Sequence, residues 1–426
     1  MTLSPPTLET CLRDVSADIR SILEGCLEGN PLTWQQGVRL NQAQGSDLYA
    51  LCLVADQLRR LQVGDQVTYV VNRNLNFTNV CVRACRFCAF SRTLTSGEGY
   101  LLPPEEILRR CVEAQQWGAT EVCLQAGLAP GVTGMTYVEL CRSIHQALPD
   151  LHIHAFSPEE IKYGAAQSGL SIQELLQALK EAGLGSLPGT SAEILDDEIR
   201  DRISPGRITT AEWIEVIQTA HRLGIPTTST MMFGHVETVA DQMRHMDLLR
   251  SIQQETGGFT EFVPLSFVHQ EAPLFLRSVS ATTRPGPTGH EVTRLYAISR
   301  LMLGSSIRNI QASWVKEGWR QAQGLLTCGV NDLGGTLINE SISTSAGASH
   351  GQLMQPAMLR HGIRDAGRIP VQRSTLYQPL QVFSSDPSQD PVDPLDHVQD
   401  AEAEFGSYES LTQDPRFRYS RDLAKK

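Results

Sequence analysis

The feature that most constrains the fold is an alternation. From about residue 67 onward, short segments rich in β-branched and aromatic residues trade places with segments whose apolar residues recur three and four apart. "VTYVVNRNLNF" reads as a buried strand. "PPEEILRRCVEAQQWG" reads as a helix, with Pro and Glu in its first turn and Gly at its end. "TEVCLQAG" follows as a strand closing in glycine. A helix near Tyr137–Ala147 precedes "LHIHAF", and helices near Pro158–Ser168 and Ile172–Ala182 precede "GSLPGT". A helix over Thr209–Leu223 precedes "PTTSTMMFG", and one over Val239–Gln254 precedes "FTEFVPL". A helix near Thr288–Leu303 precedes "NIQASW", and another near Lys316–Leu326 precedes "CGVNDL". Such alternation means parallel strands joined by crossover helices. Eight candidate strands predict an α/β fold, a (β/α)8 TIM-type barrel, complete or nearly so. An open, doubly wound sheet is the alternative.

The flanks read differently. Residues 1–65 form a helical N-terminal extension, with "SADIRSILEGCLEG" and "SDLYALCLVADQLRRL" separated by the breaker "EGNPLT". Residues 66–378 form the barrel. Residues 379–426 are Pro- and Asp-rich, with few large apolar side chains, and are expected to be an acidic, flexible tail. The 426 residues carry a formal charge of −11 and no basic run, which argues against nucleic acid as a partner. No apolar run is long enough to span a membrane, and the N-terminus lacks the pattern of a signal peptide. The expected compartment is the cytoplasm.

Ten cysteines are present, seven of them scattered singly among apolar neighbours, as reduced, buried thiols would be. The other three, Cys81, Cys85 and Cys88, fall within eight residues, in "NFTNVCVRACRFCAFSR" just after the first strand. A 4Fe–4S cubane held by three thiolates keeps one iron open to a small molecule. A parallel barrel puts this loop on the face where active sites assemble. A structural zinc with a distant fourth ligand, or buried structural cysteines, are the other readings.

Cys81-x3-Cys85-x2-Cys88, with Phe87 before the third cysteine, resembles the radical S-adenosylmethionine (SAM) superfamily motif. The resemblance implies one 4Fe–4S cluster and SAM as cofactors, the open iron binding SAM and an electron from the cluster splitting it to a 5′-deoxyadenosyl radical. Phe87 would pack near the adenine. "HAFSPEE", "GLGSLPGTSAEIL", "TTSTMMFGHVET", "QQETGGFTEFVPLSFV" and "GVNDLGGTLINESISTSAGASHG" narrow the likeness to the family of tyrosine-utilising FO synthase subunits, over about residues 20–378. That family implies cleavage of the Cα–Cβ bond of L-tyrosine and transfer of its 4-hydroxybenzyl group to 5-amino-6-(D-ribitylamino)uracil, in deazaflavin biosynthesis. It also implies an external electron donor and a separate ring-closing radical SAM subunit as functional partner, since this chain has one ligand triplet. A futalosine-pathway radical SAM enzyme of menaquinone biosynthesis is the alternative within the class. A structural metal-binding or electron-transfer iron–sulfur protein is the alternative outside it.

The resemblance assigns further positions. Gln125 and Gly127, in "LQAG", occupy the turn whose backbone meets the SAM amino group; this chain has Ala126 where the family has a first glycine. Glu193 in "TSAEIL" is a candidate for the SAM ribose hydroxyls, or a helix N-terminal acid. Gly234, His235 and Glu237, in "MMFGHVET", are candidates to frame the adenine, or a helix entry. For substrate, His154 shares a strand face with His152, Glu261 is placed near a strand end, and Asn331 and Asp332 lie in the "VNDLGG" loop, where an Asx turn is the other reading. No residue is assigned to proton transfer. There is no G-x-S-x-G elbow, P-loop or H-E-x-x-H motif.

Overall fold

The structure, a computed structural model, describes residues 11–83, 85–277 and 282–420. The helices begin where their capping residues stand. Ser157, Ser171, Thr209, Thr238 and Thr288 each accept the N–H of the residue three positions on, and Glu160, Glu174, Glu212, Asp241 and Glu291 reach back to the cap. Each such cap stabilises its helix by about 1 kcal/mol. Behind the caps one face is apolar. Ile172–Glu181 buries Leu175, Leu176 and Leu179, and Thr210–Arg222 buries Trp213, Val216, Ile217 and Ala220.

The strands are β1 (Gln66–Val70), β2 (Asn72–Leu75), β3 (Glu121–Leu124), β4 (His152–Ala155), β5 (Leu184–Ser186), β6 (Thr227–Phe233), β7 (Phe259–Ser266) and β8 (Asp332–Gly335). β2, β3, β4 and β5 pair in parallel in that order. A Leu187–Thr227 bridge carries the ring to β6, which pairs in parallel with β7. Ile310 bridges to Phe262 and Gln311 to Asp332, a two-residue seventh strand between β7 and β8. β8 then pairs with β1, and β1 and β2 are two halves of one strand broken at Val71. The barrel is closed, with its seventh strand reduced to a pair of bridges.

Helices Ala17–Leu27, Trp34–Leu40 and Ser46–Val63 precede the barrel; Trp34–Leu40 and Ser46–Val63 pack on helices Val239–Thr256 and Gly289–Leu303, and Ala17–Leu27 packs on those two N-terminal helices. Gly37 permits the closest approach, because a Cβ there would stand 2.7 Å from Met243 Sδ. Among the described residues no helix is long and apolar enough to cross a membrane.

The C-terminal segment departs from the expected flexible tail. β9 (Ile369–Arg373) adds in parallel to β1, and β10 (Pro379–Val382) returns antiparallel to β9. Beyond them Leu395, Phe405, Tyr408, Phe417 and Tyr419 are buried. The aspartates that look solvating in sequence have partners. Asp390 pairs with Arg360 and Arg364, and Asp396 with Arg360, from helix Pro356–Asp365. Residues 1–10 and 421–426 of the two flanking segments lie outside the described residues.

Candidate active site

The loop carrying Cys81, Cys85 and Cys88 leaves the C-terminal end of β2 and rims a cavity of ≈250 Å³ at the barrel mouth. The loop is pinned by its backbone. Cys81 N–H donates to Arg92 O at 3.0 Å, Val82 N–H to Leu128 O at 3.0 Å, and Arg86 N–H to Ile203 O at 2.8 Å. All three thiols are partly exposed and line the cavity, and Arg83 N–H points at Cys81 Sγ at 3.4 Å. Phe87 lines the cavity too, with the Arg207 guanidinium 5.6 Å from its ring centre.

A frame of buried charge surrounds the thiols. Glu159 pairs with Arg83 at 3.0 Å and Arg207 at 3.6 Å, and accepts Ile208 N–H at 2.6 Å. Glu193 pairs with Arg207 at 2.8 Å and Arg200 at 3.4 Å. Its backbone sits at φ +38° and that of Ser191 at φ +62°, sparsely populated for side-chain-bearing residues. Arg200 holds the strained loop by donating to Ser191 O at 2.9 Å and Ala192 O at 2.6 Å. Glu160 accepts from Ser157 N–H, Ser157 Oγ and Ala126 N–H. Burial pushes its carboxyl up to about 7, against those hydrogen bonds, which lower it.

Gln125 and Gly127 stand at the same mouth, and Gln125 Nε2 donates to Thr190 Oγ1 at 3.1 Å. Glycine is required at 127, because a Cβ would lie 2.3 Å from Val80 O, the residue before Cys81. The turn therefore packs directly on the cysteine loop. Ala126 N–H is already held by Glu160 and Gly127 N–H by Thr78 O, while Gln125 O accepts from Asn76 Nδ2 at 3.0 Å and Gly127 O from Ala129 N–H at 3.1 Å, which leaves the Ala126 carbonyl for an incoming amino group.

Other expected positions lie elsewhere. Gly234, His235 and Glu237 do not line the cavity. The Glu237 carboxylate folds back onto the Gly234 and His235 N–H groups at 2.6 and 2.9 Å, closing the turn from β6 into the next helix. His235 is fully buried, its Nε2 3.0 Å from Met232 O. Gly234 takes φ +90°, and a Cβ there would meet Pro287 Cδ at 2.4 Å.

The expected substrate residues His154, Glu261, Asn331 and Asp332 are likewise absent from the cavity lining. Glu261 is the third residue of β7, and Asp332 opens β8. Both carboxylates face the start of the barrel, where Arg373 of β9 meets Asp332 with Nε–Oδ2 2.5 Å and Nη2–Oδ1 3.0 Å. Tyr377 OH donates to Glu261. Asn331 accepts from Arg300 at 2.6 Å and Ile310 N–H at 2.9 Å, which staples the short seventh strand to β8. His154 Nδ1 and His152 Nε2 both meet Ser186 Oγ, at 2.7 and 2.8 Å. These groups form the polar floor of the barrel.

Sequence reasoning passed over Arg83, Glu159, Glu160, Arg207 and Lys316, all of which line the mouth. For Glu159 and Glu160 a signal existed, since "SPEE" follows directly on β4. Arg207 and Lys316 stand in no motif and come to the site only through folding.

The donor set fits an iron–sulfur cluster. Three thiols from one loop rim a single cavity, with a backbone N–H aimed at one sulfur, and the remaining wall offers charge and an aromatic face. Among the described residues no three His, Cys, Asp or Glu side chains close on a single-ion position; a cubane spreads its thiolates around itself and needs no such convergence.

Comparison with known proteins agrees. Residues 75–249 match the Radical SAM superfamily and 256–385 the CofH/MqnC C-terminal region. The 5-amino-6-(D-ribitylamino)uracil–L-tyrosine 4-hydroxyphenyl transferase of Methanothermobacter thermautotrophicus is 48% identical, over 86% of this chain and 99% of the relative. That of Methanocaldococcus jannaschii is 50% identical, over 78% and 93%. Among solved structures, the FeFe-hydrogenase maturase HydG from Carboxydothermus hydrogenoformans superposes with a TM-score of 0.66 at 16% identity, over 87% of this chain and 83% of that one, a likeness of fold.

Proposed function

The chain belongs to the radical SAM superfamily and, within it, to the family of 5-amino-6-(D-ribitylamino)uracil–L-tyrosine 4-hydroxyphenyl transferases, and from that premise we propose how its residues carry the reaction. It is a radical SAM transferase that cleaves the Cα–Cβ bond of L-tyrosine and passes the 4-hydroxybenzyl group to C5 of 5-amino-6-(D-ribitylamino)uracil. The 4Fe–4S cluster and SAM, when bound, supply a hydrogen-abstracting 5′-deoxyadenosyl radical.

Cys81, Cys85 and Cys88 would hold the cluster by three thiolates, which leaves a position on it for SAM. Phe87 offers its face to the adenine, with Arg207 steadying the ring. Glu193 keeps lone pairs for ribose hydroxyls while two arginines fix its orientation. The Ala126 carbonyl, in the Gln125–Gly127 turn, would accept from the SAM amino group. Met232, Leu265, Phe267 and Val268 supply the apolar wall that excludes water from the reacting centre. An external reductant supplies the electron, and the product passes to a separate ring-closing radical SAM subunit.

The observation that carries this reading is the rimming of one cavity by the three thiols and the Glu159–Arg207–Glu193 frame. The test is turnover of the anaerobically reconstituted protein with SAM, reductant, tyrosine and the diaminouracil. The expected products are 5′-deoxyadenosine, methionine, glyoxylate from the released imine, and a hydroxybenzylated uracil. Turnover of a futalosine derivative without tyrosine, and no uracil adduct, would overturn the assignment.

A further inference from the structure

A second chamber of ≈290 Å³ adjoins the first and shares with it Ser266, Phe267, Val268 and Lys316, at the C-terminal end of β7 and the helix Trp314–Glu317. The two differ in chemistry. The cluster chamber is walled by apolar side chains and paired ions. The second presents His269, Gln270, Glu317, Gln321, Ser349 and His350. Among the described residues, the side chains of Lys316, His269, Gln270 and His350 have no hydrogen-bond or ion-pair partner, although all four line this one space and the His269 ring packs edge-on against Phe275 at 4.7 Å. By contrast Arg83 and Arg207, the other cations at the mouth, are already in ion pairs. Glu317 accepts the Ser266 hydroxyl at 2.7 and 2.8 Å, so the wall between the chambers is fixed.

We propose that this second chamber holds the polyhydroxylated side chain of the acceptor, with the heterocycle lying at the junction beside Ser266 and Lys316. The inference rests on the transferase reading above. Each hydroxyl of a polyol both donates and accepts, and amide and imidazole groups in mixed array answer both needs. Lys316 and Glu317 are formally complementary, so the chamber suits a neutral, polar chain over a phosphate or a second amino acid. Idle polar groups at a rim also give an acceptor something to bind that the donor does not use. That keeps the two substrates in separate places, with the reacting carbon of the heterocycle at the edge of the cluster chamber.

The test compares two acceptors, 5-amino-6-(D-ribitylamino)uracil and 5,6-diaminouracil, which lacks the ribityl chain. The variants are Gln270→Ala, His350→Ala and the double variant, at exposed rim positions where truncation spares the core. In reconstituted holoenzyme the double variant should raise KM for the ribityl acceptor about tenfold, the loss of one or two hydrogen bonds. KM for tyrosine and for 5,6-diaminouracil should stay at wild-type values. Calorimetry with the ribityl compound should show the same weakening. An equal loss for both acceptors, or unchanged constants for both, overturns the subsite while leaving the transfer reaction standing. Wild-type protein that binds the ribityl compound through these residues yet forms no adduct overturns the transfer reading and supports the subsite.

Discussion

Among the ten cysteines, only Cys81, Cys85 and Cys88 line the cavity at the mouth, and Cys328 is buried far along the chain beside helix Trp319–Leu325. Anaerobically prepared protein should hold about four irons and four sulfides per chain. Cys81→Ala, Cys85→Ala and Cys88→Ala should each abolish that loading, and Cys328→Ala should keep it; stoichiometric zinc in iron-replete protein would sink the cluster assignment. His154 makes an opposite case, a residue with the look of a ligand and the setting of a core group. It is buried between Ser186 and the Glu121 region, and burial pushes its imidazole from 6.5 down to about 4. A lowered pKa in the fold means that the unfolded chain binds the proton first. The stability His154 contributes is therefore present above about 6.5 and is lost as pH falls toward 4, by roughly 3 kcal/mol at the limit. Urea unfolding of His154→Gln should depend less on pH between 7 and 5 than the wild type. An NMR titration placing His154 near 6.5 would contradict this.

At the scale of elements, the sequence told strand from helix well and strand ends poorly. The helices over 158–168, 172–181, 210–222 and 289–303 stand within a residue or two of their expected bounds, because capping residues mark them. Strands carry no such marker. "CGVNDL" reads as a strand over residues 328–333, with Asp332 near its end, whereas β8 begins at Asp332. A slip of four residues is about 13 Å at ~3.3 Å per residue, enough to move a carboxylate from the barrel mouth to its floor. Glu261 shifted for the same reason, as the third residue of an eight-residue strand. The partner of both, Arg373, lay in a segment where no strand was expected. The β9–β10 hairpin thus plugs the floor with a guanidinium that answers Asp332 and Glu261, and its ring neighbour Tyr377 stands 4.0 Å from it. Arg373→Met should destabilise the fold by about 3–5 kcal/mol, since it leaves buried carboxylates unpaired. KM for tyrosine should hold in the folded fraction, because the cavity lies at the other end. Denaturant unfolding beside steady-state kinetics reads both, and a KM change without loss of stability would place the floor in substrate binding.

For the whole molecule, the open question is what the C-terminal segment does, since the family match ends at residue 385. Its side chains reach back to the cysteine loop. Tyr408 OH donates to Phe90 O at 3.0 Å and receives Asn79 Nδ2 at 3.2 Å, and the rings of Tyr408 and Phe90 lie 5.3 Å apart. Phe90 is two residues beyond Cys88. Leu101 N–H donates to Phe417 O at 2.8 Å and Tyr419 N–H to Gly99 O at 2.9 Å, so the segment also grips the return limb of that loop. Phe405 packs edge-on against Trp117 at 5.4 Å, across the helix that follows. The segment is a strap over the loop that carries the thiols. Large apolar side chains contribute about 1.5–3 kcal/mol each when fully buried, an upper bound against a compact unfolded chain. Truncation after residue 383 removes Leu395, Phe405, Tyr408, Phe417 and Tyr419 together. It should lower Tm by roughly 5–10 °C and loosen the Phe90 backbone beside Cys88. Two measurements separate a strap from a passive appendage: melting temperature, and iron retained per chain after chelator challenge. Both should fall in the truncated protein, with Tyr408→Phe showing a smaller loss of iron at near-native Tm. A truncated protein that melts and holds iron as the full chain does would return the segment to the flexible tail its composition suggested.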